Sequence, residues 1–186
     1  MKRGTLGTFL MAAALVATAG ATGKDNAGAP RTDEDVAKGV RHEILMYPHY
    51  TLWDDVSFRV QNGSVELLGE VSQPYKKSDL QKIIQHVPGV SAVTNELKVL
   101  PLSTFDDQLR VRVARAIYSD PTLSRYSMGA VPQIHIIVDN GHVTLTGAVN
   151  NAMEKQIAGM RASGVGLGFG PVVNNLTVDN PPHKKG

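Results

Sequence analysis

The sequence predicts an α+β protein made of two tandem copies of one small αββαβ domain. Each copy is a three-stranded mixed sheet with two helices packed on one face. Three observations predict it. The strand Val65-Glu66-Leu67-Leu68-Gly69-Glu70-Val71 recurs as Val143-Thr144-Leu145-Thr146-Gly147-Ala148-Val149, 78 residues on. An Asn-Gly pair precedes each copy at the same offset, Asn62-Gly63 and Asn140-Gly141. Upstream, Val36, Val40, Ile44 and Pro48 match Leu109, Val113, Ile117 and Pro121 at an offset of 73. Constant blocks separated by small length changes are what loop insertions between packed elements leave behind.

Taken in order, the chain begins with Lys2 and Arg3, an uncharged apolar run from Leu6 to Ala19, and small residues through Ala21. This is the layout of a secretory signal peptide, the run being short for a membrane span, with cleavage expected after Ala19 or Ala21; the alternative is a retained N-terminal anchor. Residues 22–31 read as a disordered linker, 32–100 and 104–179 as the two domains, and 180–186 as a flexible tail. The chain has no cysteine, which excludes disulfides and attachment of lipid to an N-terminal Cys. The expected location is the periplasm.

Within the first copy, Thr32 caps a helix whose first turn carries Asp33, Glu34 and Asp35. Val36, Val40, Ile44 and Tyr47 form its apolar stripe and Pro48 stops it. Two alternating strands flank Asn62-Gly63, a pair suited to a two-residue hairpin turn. That turn sets Val60 opposite Val65 and Phe58 opposite Leu67 on one face, with Arg59 beside Glu66 on the other. In the second copy it pairs Val138 with Val143 and Ile136 with Leu145. Ser72 and Pro74 suit the start of a second helix with stripe Leu80, Ile83, Ile84 and Val87, which Pro88-Gly89 ends before a strand over residues 90–99. The second copy offers Asn151 and Glu154 as a capping box ahead of Ile157 and Met160. Units this short have marginal cores, so packing of one repeat on the other is expected across the short connection Leu100-Pro101-Leu102-Ser103.

The V-x-L-x-G-x-V strand with Gly69 or Gly147, and Pro88-Gly89-Val90 before the Val93-to-Val99 strand, resemble the BON domain of bacterial envelope proteins. Two copies behind a signal peptide are similar to the OsmY-type tandem arrangement. The resemblance implies a non-enzymatic envelope role, with binding to phospholipid surfaces commonly proposed for the domain. The second copy departs from the pattern at Gly164-Val165-Gly166-Leu167-Gly168-Phe169-Gly170, which reads as a helix C-cap and connection, since phosphate loops run from strand to helix. Leu167 and Phe169 are secondary contact candidates there.

Charge argues against nucleic acid. Removing Lys2 and Arg3 from 19 basic residues leaves 17, equal to the 17 acidic ones. Nothing points to a metal or other cofactor: the register puts His135 and His142 on the outward face, roughly 13 Å apart, too far to share an ion. No G-x-S-x-G elbow is present, and Asp54-Asp55 and Asp106-Asp107 read as turn and helix-start residues, so no enzyme is expected.

The binding surface expected from sequence is the outer face of the first helix of the second repeat. Leu109, Val113, Ala116 and Ile117 point to the core, while Val111, Ala114 and Tyr118 lie opposite with Arg115 among them and Arg110 and Arg112 on the flanks. An apolar strip edged by guanidinium groups suits anionic phospholipid headgroups. The matching helix of the first repeat, with Lys38, Arg41 and Leu45, is more acidic. Two partner classes follow: an anionic membrane surface, in envelope maintenance or osmotic stress, or envelope proteins bound by an adaptor or chaperone that never touches lipid.

Overall fold

The computed structural model describes residues 31–129, 132–166 and 168–179. The expected signal peptide, residues 22–30 of the expected linker, Ala130, Val131, Leu167 and the expected tail, residues 180–186, lie outside the described residues. The first repeat runs α1 (Asp33–Met46), β1 (Asp55–Gln61), β2 (Ser64–Val71), α2 (Pro74–Gln85), β3 (Ala92–Asn95) and β4 (Lys98–Val99). The second runs α3 (Thr104–Tyr118), a 3-10 turn (Ser124–Ser127), β5 (Ile134–Asp139), β6 (His142–Val149), α4 (Ala152–Ser163), β7 (Val173–Asn174) and β8 (Thr177–Val178). In each sheet the second strand is central, antiparallel to the first and parallel to a last strand in two short pieces.

The hairpin registers are those the turns dictate. Val60 faces Val65, Phe58 faces Leu67, Val138 faces Val143 and Ile136 faces Leu145. Asn62 and Asn140 have φ of 51° and 49°, and the glycines after them 74° and 79°, the left-handed pair a two-residue turn needs. Arg59 and Glu66 lie side by side on the outer face at 3.2 Å.

A second device holds each turn. Asp33 accepts the N–H groups of Asn62 and Gly63 at 2.7 and 2.8 Å. Asp106 accepts those of Asn140 and Gly141 at 3.0 and 2.8 Å. The first turn of each repeat's first helix is thereby clamped to its own hairpin. Above the sheets lie two cores, one around Val36, Val40, Ile44, Leu67, Leu80 and Ile84, the other around Leu109, Val113, Ile117, Ile136, Leu145 and Leu176. Each such side chain contributes about 1.5–3 kcal/mol by leaving water.

Several local expectations are corrected. Ser72 does not cap α2; the cap position is Gln73 with no side-chain bond, and Ser72 bonds Asp54 and Lys76 instead. Asn151 does cap α4, but the Glu154 carboxylate takes the N–H of Asn150, not that of the cap residue. Met160 is exposed, and Ala158 and Ala162 bury the inner face of α4 with Glu154. Ile157 packs against the core as expected, so only Met160 is out of phase; beside it the small Ala158 and Ala162 lie under the helix where it approaches the sheet.

Candidate functional site

The face of α3 expected to bind a surface is divided by the fold. Ser103 caps the helix by accepting the Asp106 N–H at 3.3 Å, and Arg115 lies in its last turn, where the helix dipole favours a cation. Val111, Arg112 and Arg115 are exposed, and neither arginine makes an ion pair with another described residue.

The rest of the expected strip is covered. Arg110 is buried, one guanidinium nitrogen on the Asp107 carboxylate and the other donating to the Val138 carbonyl at 2.8 Å. Tyr118 is half-buried and donates its hydroxyl to the Ile134 carbonyl at 2.8 Å. Desolvation pushes that phenol up to about 12. Ala114 packs on the second core beside it.

The first repeat supplies the cover. Leu52 and Trp53, from the loop between α1 and β1, pack against the core of the second repeat. The Leu52 carbonyl accepts the Ile136 N–H at 2.7 Å, adding backbone to the edge of β5. Tyr50 lies over His135 with ring centroids 5.4 Å apart. His135 lies on the outer face of its own sheet, opposite Thr146, as expected, but it is buried there, while His142 is exposed. The outward face of one sheet becomes interior once a neighbouring repeat sits on it, which strand alternation alone does not reveal. Lys98 pairs with Asp139 across the same seam. A cleft of about 280 Å³ remains where Trp53 and Gln73 meet Arg110 and Val111.

A family model for the BON domain matches residues 32–101 and again 105–180. The chain belongs to the BON-domain family. Among solved structures, the tandem BON chain is similar to the C-terminal domain of CdsD, the structural protein of the type III secretion system of Chlamydia trachomatis. That match has 14% identity over 78% of this chain and 98% of the other, with a TM-score of 0.31. A second structure of CdsD from the same organism matches at 17% identity over 77% of this chain and 61% of the other, TM-score 0.30. No curated protein matches the chain.

The BON strand motif has a steric reason for its glycine. Gly69 and Gly147 have φ of 108° and 103°, and a Cβ there would fall 2.1 Å from the carbonyl oxygens of Asp55 and Gln133. The glycine-rich departure in the second BON repeat also has a definite fold. The Phe169 N–H donates to the Gly141 carbonyl at 3.0 Å, and its ring stacks on Phe105 with centroids 5.2 Å apart. The ring caps the Asn140-Gly141 turn yet remains 70% exposed. Leu167 lies outside the described residues.

Two buried polar networks were missed. Asp54 is fully buried, accepting from Lys76 at 2.6 Å and from both Thr51 and Ser72 through backbone and hydroxyl. Burial alone would raise its pKa, but the bonds from Lys76, Ser72 and Thr51 outweigh it and hold the carboxyl below the usual range. In the second repeat Glu154 is buried against Tyr126 and Arg125, again lowered in pKa despite desolvation. A signal existed in the sequence: Lys76 stands four residues before Leu80 and eight before Ile84, on the core stripe itself. Five donors occupy the Asp54 carboxylate, so it is built for structure and not for proton transfer to a substrate. Among the described residues no group of three or more His, Cys, Asp or Glu is placed to hold a metal ion, and no helix there is long and apolar enough to cross a membrane.

Proposed function

We propose that this tandem BON protein acts without catalysis at the cell envelope, binding anionic phospholipid surfaces from outside the bilayer through α3. The supporting observation is the pair Arg112 and Arg115, both exposed and free of ion pairs among the described residues, beside exposed Val111. Guanidinium groups bond phosphate oxygens in a planar fork, and a neighbouring aliphatic group enters the headgroup zone. Arg110 and Tyr118 act behind this face by fixing α3 to β5. Phe169, stacked on Phe105, offers a second apolar contact near the start of the same helix.

The Lys2-Arg3 start and the Leu6-to-Ala19 run support export to the periplasm. A role in envelope maintenance or osmotic stress follows from the family's usual setting. Co-sedimentation with vesicles of phosphatidylglycerol and phosphatidylethanolamine tests the reading. The protein should pellet in a salt-sensitive manner, and Arg112→Glu with Arg115→Glu should abolish pelleting while circular dichroism stays unchanged. Undiminished pelleting of that folded variant would refute it.

A further inference from the structure

The two repeats differ in one respect that their shared fold makes conspicuous. In the second, the space between α3 and the β5 edge is filled by Leu52 and Trp53 of the first, with the Ile136 N–H bonded to the Leu52 carbonyl. Phe58 is the counterpart of Ile136, and Phe58 faces Leu67 as Ile136 faces Leu145. The same register turns the Phe58 N–H to the open side of β1, an edge strand. There the corresponding groove is open: about 340 Å³, lined by Ala37, Arg41, Leu45, Tyr50, Val56 and Phe58.

We propose that this groove of the first repeat binds an extended apolar peptide segment of another polypeptide, added alongside β1 as Leu52-Trp53 is added alongside β5. The molecule itself displays the chemistry of the occupant: one backbone carbonyl for the edge N–H, and a bulky apolar side chain against the helix. Main-chain bonds to a free edge supply affinity, and the side-chain pocket supplies selectivity. The groove differs from the filled one at one informative place. Arg41 stands where the second repeat has Ala114, and it makes no ion pair with a described residue. The preferred segment therefore carries a carboxylate beside its apolar residues, as Leu52-Trp53-Asp54-Asp55 does.

This surface is separate from Arg112 and Arg115, so the two readings fail independently. The test is fluorescence anisotropy of a labelled peptide with the sequence Tyr50-Thr51-Leu52-Trp53-Asp54-Asp55, titrated with the protein, both repeats intact. Saturable binding with a dissociation constant below about 1 mM is expected. The Phe58 amide resonance should shift on binding and the Ile136 amide should not. Arg41→Glu with Leu45→Ser, two exposed positions on α1, should weaken binding by at least about tenfold, whereas Arg112→Glu with Arg115→Glu should leave it unchanged. If the first double variant loses its fold, Arg41→Gln alone carries the test through weaker, less salt-sensitive binding. Absence of saturable binding, or equal binding by the folded Arg41 variants, overturns the proposal.

Discussion

Lys76 and Glu154 occupy the same position in the second helix of their respective repeats, and both are buried, with opposite charge. Lys76 is neutralised from the preceding loop by Asp54, at 2.6 Å. Glu154 is met from the 3-10 turn by Arg125 and Tyr126. Both arrangements pin the start of the second helix to the loop after the first. Duplication kept the geometry and reversed the sign, since a buried charge needs a partner but either sign serves.

Asp54→Ala leaves the Lys76 ammonium buried without its counter-ion and should destabilise the first repeat by about 3–5 kcal/mol. Replacing both residues by apolar ones, Asp54→Leu with Lys76→Met, should recover most of that loss. Urea denaturation of the three proteins measures it.

The lowered carboxyls of Asp54 and Glu154 set an acid limit. A depressed folded-state pKa means that the contribution is fully present above the ordinary carboxylate value of about 4 and is lost as pH falls through the folded one. The thermal midpoint should drop steeply below about pH 4. Variants that are apolar at both Asp54 and Lys76 should show a shallower drop.

His135 sets a second limit at higher pH. It is buried at the seam beneath Tyr50, its Nδ1 unpaired. Desolvation lowers its pKa, while Asp55, Asp54 and the carbonyls of Thr51 and Asp54 oppose that by favouring the cation. The unfolded chain takes up its proton first, so stability from the neutral ring is present above about pH 6.5 and declines below it. Emission from Trp53, the only tryptophan, should change as pH falls below about 6.5 and the seam loosens. His135→Phe should remove that change; a persisting transition would assign it elsewhere.

Removing the turn clamps should cost unequal amounts. Asp106 is buried and Asp33 half-exposed, so Asp106→Ala leaves two turn N–H groups less accessible to water. It should cost about 1–3 kcal/mol, and Asp33→Ala less. Thermal midpoints, with the Gly63 and Gly141 amide shifts, report both.

Gly69→Ala and Gly147→Ala force a methyl against a backbone oxygen at positive φ. Each should destabilise by about 1–3 kcal/mol or more, and neither loss should be relieved by trimming a side chain, because the clash is with main chain.

Local chemistry determined the repeat, the hairpins and the helix stripes. An Asn-Gly pair sets strand register through backbone angles alone, and alternation then assigns Val65, Leu67, Val143 and Leu145 to the core. Thr32 and Pro48 bound α1 in the same local way. The surface residues resisted that reasoning. On a helical wheel Arg110, Val111, Arg112, Arg115 and Tyr118 are alike in lying away from the core of their own repeat. Only the tertiary structure decided that Arg110 and Tyr118 are covered while Val111, Arg112 and Arg115 stay open, and that His135 is interior. The physical reason is that burial there depends on a loop of the other repeat, Tyr50 to Trp53, roughly sixty to eighty-five residues away in sequence. Periodicity reports the face an element turns to its own sheet; it carries no information about what arrives on the opposite side.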